Sequence, residues 1–304
     1  MLARIFLTVV MAVALSSCTT GVTGETSGDN GGGAIDSTAV RIAVMPTLDC
    51  LPLFIADDSG LFQRESLDVR LVPFTAQMDC DTAIAGGSAD GLVTDLVRAE
   101  RMKDFGTQLR YIAATDLQWQ LLTGKTVRIK QLKQLDDKML AMTRYSATAM
   151  IADHLVDSAK LVSERVFRIQ VNDVLVRLNM LETGIMDAML LPEPQATVAR
   201  LLQANTVYDT SRDSLRLGVL AFSEKSLALP KLKGKLDAFT RAYDAACDSI
   251  AGKGIAHYRN LIARWCHVEP EIADSLEQQR GMLFPHALPP RQRDIDMAKA
   301  WLSR

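Results

Sequence analysis

Two parts of the sequence repeat one strand–turn–helix plan about a hundred residues apart, and this repeat constrains the fold most. Residues 45–57 correspond to 142–153, and both contain Ile-Ala-Asp at an offset of 96. A Gly-x-x-Asp signal before an apolar strand at 87–90 recurs at 184–187, at an offset of 97. Ile-Ala-Asp alone is weak support because it occurs again at 272–274, but two different signals share nearly one spacing. We therefore predict two α/β lobes of similar plan.

Alternating residue patterns place βαβ units in each lobe. Residues 40–44 and 67–71 alternate apolar and polar positions, which is typical of strands, and Pro52 begins and Gly60 ends a helix between them. The same order returns over residues 138–203, and helices follow the strand at 215–222 to the end. Such units build mostly parallel sheets with right-handed crossovers. Connectors near 124–136 and 205–214 are expected to join the two lobes.

The N-terminus has the features of an export signal. Arg4 precedes an apolar run, Ile5 to Leu15, that is shorter than a membrane span, and Leu-Ser-Ser-Cys18 resembles the lipobox of bacterial lipoproteins. We predict a signal peptide over 1–17 and lipid on Cys18, which would hold the protein at a membrane of the cell envelope, facing the periplasm. An ordinary secretory signal is the alternative. Residues 18–39, rich in Gly, Ser and Thr, predict a flexible tether.

The four other cysteines predict two disulfides, because an exported protein meets an oxidising compartment. Sequence proximity favours pairing Cys50 with Cys80 and Cys247 with Cys266. Free buried thiols are the alternative.

Composition and motifs exclude several classes of function. The formal net charge of −2 gives no basis for a nucleic-acid partner. The four histidines are scattered without metal-ligand spacing, and no phosphate-binding glycine loop or nucleophile elbow is present. We predict neither a metal nor a cofactor.

Residues 42–74 resemble the opening of periplasmic solute-binding proteins of the thiamine-pyrimidine, aliphatic-sulfonate and nitrate group. Segments 86–95, 181–194 and 239–250 resemble its two Gly-x-x-Asp segments and a helix that packs back on the first lobe. Ser66 departs from the pattern, since many relatives carry glycine there. The opening pattern falls on Pro52, Leu53, Ala56, Gly60, Leu61, Phe62, Leu67 and Val69.

This resemblance implies the α/β, two-lobed type II periplasmic-binding-protein fold, each lobe a mostly parallel sheet flanked by helices, with C-terminal helices packing on the first lobe. We expect residues 40–128 and 212–304 in the first lobe and 129–211 in the second. It implies a receptor, not an enzyme, that binds a small molecule between the lobes and delivers it to the permease of an ABC importer. We expect a monomer.

Side chains that follow predicted strands are the candidate ligand contacts, because parallel sheets bind ligands outside the carboxyl ends of their strands. For several of them turn formation or helix capping is the alternative, as for Asp95, Ser146 and Thr148, and a lone tryptophan such as Trp119 is more often part of a core. The candidates are Thr47, Leu48, Asp49, Phe74, Thr75, Thr94, Asp95 and Trp119 in the first lobe, and Arg144, Tyr145, Ser146, Thr148, Asn172 and Glu193 in the second.

The candidate set and its neighbour Asp173 gather four acids against one base, Arg144. This balance favours a neutral or cationic ligand with N–H donors, such as an aminopyrimidine. Two other classes of function stay open. One is an enzyme on the same fold, of the pyrimidine-forming or chorismate-converting type, and the other is a surface lipoprotein that binds a macromolecule.

Overall fold

Two five-stranded sheets flanked by helices form the part of the chain that the computed structural model describes, which is residues 38–213, 215–277 and 283–304. In chain order the strands are β1 (Val40–Val44), β2 (Val69–Pro73), β3 (Gly91–Asp95), β4 (Leu109–Thr115), β5 (Trp119–Thr123), β6 (Lys138–Met142), β7 (Val166–Gln170), β8 (Ala188–Pro192), β9 (Asn205–Asp209) and β10 (Gly218–Ser223).

The two sheets have the same topology. The first has the order β2-β1-β3-β10-β4 and the second the order β7-β6-β8-β5-β9. In each, three parallel strands come from the βαβ units and one antiparallel strand, β10 or β5, lies beside them. The fourth position of each sheet, held by β10 or β5, is thus filled by a strand from another part of the chain. The predicted α/β architecture is confirmed.

The internal repeat is also confirmed at the level of elements. β7 begins at residue 166, 97 residues after β2 begins at 69, and β8 begins at 188, 97 residues after β3 begins at 91. Because the offset holds through a strand, a helix and a second strand, each lobe presents the same strand ends and helix N-termini at one edge of its sheet.

Twelve helices, counted in the described residues, cover the sheets. Three begin at side chains that cap them, because Asp95, Ser146 and Asp173 accept a backbone N–H of the first turn. The helices are α1 (Leu51–Asp58), α2 (Leu61–Arg64), α3 (Gln77–Ala85), α4 (Leu96–Asp104), α5 (Ala147–Ser158), α6 (Val174–Glu182), α7 (Gln195–Leu201), α8 (Glu224–Leu227), α9 (Leu236–Lys253), α10 (Arg259–Cys266), α11 (Ile272–Glu277) and α12 (Gln292–Leu302).

Aromatic side chains fix the C-terminal helices to the first lobe. On α9, Phe239 stacks on Phe62 at 5.3 Å between ring centroids and meets the ring of Phe222 edge-on at 4.9 Å. On α10, Trp265 stacks on Phe54 at 4.5 Å. Such pairs add about 0.5–1.5 kcal/mol beyond the burial of their area. The predicted return of the 239–250 helix onto the first lobe is confirmed.

The chain enters the second sheet earlier than predicted. Residues 119–123 were assigned to the first lobe, but β5 pairs with β8 and β9 of the second sheet. Residues 205–209, expected to be a connector, form the edge strand β9. The crossings therefore lie between β4 and β5 and between β9 and β10. The alternating pattern identifies a strand but not its sheet, which is why the boundary at 128 was wrong.

All four described cysteines are free and buried, which corrects the predicted disulfides. Cys50 lies near Cys266 and not beside Cys80, as their electrostatic interaction indicates. Cys247 donates its thiol to the carbonyl oxygen of Pro285 at 3.5 Å. Proximity along the chain was a poor guide, because Cys50 directly precedes α1 and Cys80 lies on α3, and strand β2 separates these two helices in the chain.

Ser66 adopts the left-handed backbone conformation, with φ 57°, in the turn before β2. A residue with a Cβ atom loses roughly 1–2 kcal/mol in this conformation, which explains why glycine suits the position.

The predicted signal peptide, Cys18 and nearly all of the tether lie outside the described residues. Among the helices that are described, none has both the length and the apolar character that a membrane span requires.

Candidate functional site

A small cavity lies between the two lobes, at the edge where the parallel strands end. Its volume is about 40 Å³, and both lobes contribute to its wall. Eight of the predicted contacts line it, which are Thr47, Asp49, Thr94, Asp95, Trp119, Ser146, Thr148 and Asn172. Eight further residues line it that the sequence did not identify, which are Met45, Gln77, Val93, Leu117, Thr143, Val174, Arg177 and Pro192.

Asp49 is held on the first-lobe side by two hydroxyl groups. Thr47 Oγ1 donates to Asp49 Oδ1 at 2.6 Å, and Thr115 Oγ1 donates to Oδ2 at 3.2 Å. Burial raises the pKa of Asp49 to about 6, although both hydrogen bonds act in the opposite direction. Each carboxylate oxygen of Asp49 thus already accepts a hydrogen bond from the protein.

Asp95 is also occupied by donors of the chain itself. Its Oδ1 accepts the backbone N–H of Arg98 at 3.0 Å and caps α4, and the backbone N–H of Ala147 reaches it from the second lobe. Burial raises the pKa of Asp95 to about 6, against the effect of the Arg98 charge. The neighbouring Thr94 differs, because its buried Oγ1 has no hydrogen-bond partner among the described residues.

Ser146 and Thr148 mainly build the turn before α5. Ser146 Oγ donates to the carbonyl oxygen of Thr143 at 2.6 Å and accepts the N–H of Thr148 at 3.1 Å. Thr148 Oγ1 in turn accepts the N–H of Thr143 at 2.9 Å. Their capping function, weighed as an alternative in the sequence, is present, and both side chains also border the cavity.

Arg177 is the one cation in the cavity wall formed by described residues, and it lies on α6, four residues after the capping Asp173. Its side chain is almost fully buried, at 5% exposed. Nη1 donates to the carbonyl oxygen of Leu190 at 2.8 Å, and Nε has no partner among the described residues. Burial lowers the pKa of the guanidinium to about 10, and the nearby Asp173 acts in the opposite direction.

Hydrogen bonds across the cleft hold the lobes together. The backbone N–H of Leu48 donates to the carbonyl oxygen of Glu193 at 2.8 Å, and Gln195 Nε2 donates to the carbonyl oxygen of Pro46 at 2.7 Å. Thr75 Oγ1 donates to Asp173 Oδ2 at 2.5 Å. These bonds join strand ends and helix N-termini of opposite lobes, so the structure is of a closed form.

Six predicted contacts do not line the cavity. Leu48 and Thr75 take part in the bonds between the lobes, and Phe74 and Thr75 border a separate cavity of about 370 Å³. Tyr145 is 52% exposed and covers the guanidinium of Arg101, and Arg144 contributes its carbonyl oxygen to Arg98.

Glu193 is buried but directed into its own lobe. Its carboxylate accepts hydrogen bonds from Gln120 at 3.0 Å, from the N–H of Thr197 at 3.0 Å and from Arg200 at 2.9 Å. Its function as a ligand contact stays a prediction.

The sequence prediction did not include Arg177, because it considered only residues that directly follow a strand. The repeat places the N-termini of α3 and α6 at the cleft edge, and Arg177 lies in the first turn of α6. A long side chain there reaches the cavity although it follows no strand directly. No group of three or more His, Cys, Asp or Glu residues suited to a metal ion occurs in the described residues.

A family model described as NMT1/THI5 like matches residues 47–251. Comparison with curated proteins finds no match. Among solved structures, the alkanesulfonate-binding protein SsuA from Xanthomonas axonopodis pv. citri, bound to MOPS, is 16% identical, with a TM-score of 0.73 over 88% of this chain and 91% of that one.

Two other solved structures are similar. The periplasmic nitrate-binding protein NrtA from Synechocystis PCC 6803 is 13% identical, with a TM-score of 0.71 over 84% of this chain and 74% of that one. A Candida albicans protein described as having the generic periplasmic binding protein fold is 13% identical, with a TM-score of 0.65 over 88% and 90%. At these identities the similarity shows a shared fold.

Proposed function

The chain belongs to the NMT1/THI5-like family, and we propose that it is an extracytoplasmic receptor that binds a small solute between its lobes and delivers it to an ABC importer. One observation carries this proposal. Two lobes of the same topology close over a cavity at the carboxyl ends of their parallel strands, with unpartnered buried polar atoms in or at its wall.

The similar structures support the same function, because two of them are named as binding proteins for alkanesulfonate and for nitrate. A cavity of about 40 Å³ is far below the roughly 300–1,000 Å³ of sites for drug-sized ligands. The solute is therefore small, or the lobes separate further to admit it.

The chemistry of the wall favours binding over catalysis. Asp49 and Asp95 each accept hydrogen bonds from donors of the chain, so both carboxylates have a structural function in the wall. Cys50 follows the wall residue Asp49 in the chain but does not line the cavity, and burial raises the pKa of its thiol well above its ordinary value, so it is a poor nucleophile. The enzyme alternative has no specific observation in its favour.

We further propose that the protein is a monomer anchored through lipid on Cys18. The Gly- and Ser-rich residues 18–39 would let the receptor move while remaining near its permease. Such tethering raises the effective concentration of the receptor at its partner. Radiolabelled fatty acid should be incorporated into the wild type and not into Cys18→Ser.

Native mass spectrometry of freshly purified protein tests the receptor function. We expect one small molecule per chain, which is lost on denaturation and, when added back, raises the melting temperature of stripped protein. A ligand at a hundred times its dissociation constant adds about 2.7 kcal/mol to stability. A protein that carries no small molecule and gains no stability from a broad solute panel would contradict the proposal, as would turnover of the bound molecule.

A further inference from the structure

Building on the proposed receptor function, we propose that the solute is a small organic carboxylate whose two oxygens bind the Nε–Nη2 edge of Arg177. The body of the solute then extends towards the first lobe and ends near Thr94. The inference concerns the chemical class and the orientation of the solute, and it replaces the expectation of a neutral or cationic ligand.

The hydrogen bonding of Arg177 is incomplete. Its guanidinium carries five N–H donors, and among the described residues only Nη1 makes a hydrogen bond, to the carbonyl oxygen of Leu190. Nε is buried without a partner. A buried charge is costly unless it is paired, so the free Nε–Nη2 edge indicates a partner that the chain itself does not supply.

The nearby carboxylates do not satisfy this edge. Asp173 Oδ1 accepts the N–H groups of Leu175 and Val176, and its Oδ2 accepts the hydroxyl of Thr75. Asp49 and Asp95 belong to the first lobe and hold donors of their own. The sequence counted these acids as ligand contacts, whereas the structure gives them donors within the chain.

The shape of the donor set favours a carboxylate. The Nε–Nη2 edge of a guanidinium offers two parallel, coplanar N–H groups, which match the two oxygens of a carboxylate. Apolar side chains, among them Trp119, Val174 and Pro192, also line the cavity and can contact the body of an organic carboxylate. The described wall offers no second cation for the third oxygen of a sulfonate.

Electrostatics fixes the direction of the solute. Asp49 and Asp95 on the first-lobe side repel an anionic group, and Arg177 on the second-lobe side attracts it. The opposite end of the solute then faces the unpartnered hydroxyl of Thr94, which donates or accepts a hydrogen bond.

Isothermal titration of stripped full-length protein tests the class of ligand. The probes are matched pairs, butyrate against propane-1-sulfonate and benzoate against benzenesulfonate, with nitrate and 4-amino-5-hydroxymethyl-2-methylpyrimidine added. We expect a carboxylate to bind at least about tenfold more tightly than its sulfonate partner, because the described wall has no second cation for the third oxygen of a sulfonate. Equal or tighter binding of the sulfonate, nitrate or the pyrimidine overturns the inference.

Substitutions at Arg177 test the residue. Arg177→Met should weaken carboxylate binding by about tenfold to a hundredfold. Arg177→Lys keeps the positive charge but loses the two parallel N–H groups, and it should weaken binding less. The control Arg165→Met removes an arginine of the second lobe whose side chain is 58% exposed, and it should leave the affinity for carboxylates unchanged. If Arg177→Met does not fold, Arg177→Lys carries the test.

The two proposals fail in different ways. Unchanged affinity in both Arg177 variants overturns the carboxylate inference and leaves the receptor function intact. A co-purified solute without a carboxylate does the same. The absence of any co-purified or added ligand overturns the receptor function as well.

Discussion

Asp49 shows how one residue combines a structural task with an energetic cost. Its carboxylate joins Thr47, in the turn after β1, to Thr115 at the end of β4, so it fixes the first-lobe wall of the cavity. It lies close enough to the thiol of Cys266 and the phenol of Tyr243 to raise the pKa of both. The charged form of Asp49 is disfavoured in the folded protein because the carboxylate is buried.

The Asp49→Asn variant should be more stable than the wild type at pH 7.5. Burial raises the pKa of Asp49 from 3.8 to about 6. The folded protein therefore binds a proton more readily than the unfolded chain, and the carboxylate costs stability above pH 6. That cost, up to about 3 kcal/mol, disappears as the pH falls from 6 to 4. Asparagine keeps the shape and still hydrogen-bonds to both threonine hydroxyls.

Thermal melts at pH 7.5 and pH 4.5 measure this difference. The stability gained by Asp49→Asn should be large at the higher pH and small at the lower. The exposed Asp68 provides the control, since Asp68→Asn should not show this dependence. A gain that is equal at both pH values would show that the charge of Asp49 is not the cause.

At the scale of the elements, Glu193 organises the turn between β8 and α7. Its carboxylate bonds to Gln120 on β5 and to Thr197 and Arg200 on α7. The backbone of Glu193 meanwhile accepts the N–H of Leu48 from the other lobe. Glu193 thus holds the second-lobe side of the cleft in position without bordering the cavity.

Glu193→Gln should lower the free energy of unfolding by about 1–3 kcal/mol. In glutamine an NH₂ group replaces one carboxylate oxygen, and it cannot accept the hydrogen bonds that this oxygen accepts. The substitution also removes the negative charge opposite Arg200. Urea denaturation measures the loss, and Glu182→Gln, on an exposed residue of α6, is the control. Unchanged stability together with abolished solute binding would instead indicate the ligand contact that the sequence predicted.

The sequence predicted most elements because apolar periodicity reflects local geometry. The strand at 40–44, the apolar strand that follows residue 90 and the repeat near 97 are all present in the structure. Assignment of β5 to its sheet and the pairing of cysteines failed, because both depend on contacts between distant parts of the chain. Arg177 was missed for a similar reason, since the pattern of a helix does not show whether a polar residue is buried at a lobe interface.

At the scale of the whole molecule, contacts on two sides of the described fold favour the closed form. The cleft is crossed by hydrogen bonds such as that from Gln195 to Pro46. On another side, α12 packs on α4 of the first lobe, and Trp301 Nε1 donates to Asp153 Oδ2 of α5 at 3.0 Å. We therefore expect the release of a solute bound in the small cavity between the lobes, about 40 Å³, to require the lobes to separate.

Small-angle X-ray scattering tests this central claim most directly. The full-length protein is unfolded, stripped of its solute and refolded, and its radius of gyration is measured as the solute identified by mass spectrometry is added back. We expect the stripped protein to be more extended, and its radius of gyration to fall and level off at one solute per chain. A radius of gyration that is the same before and after the solute binds would contradict closure of two lobes around it.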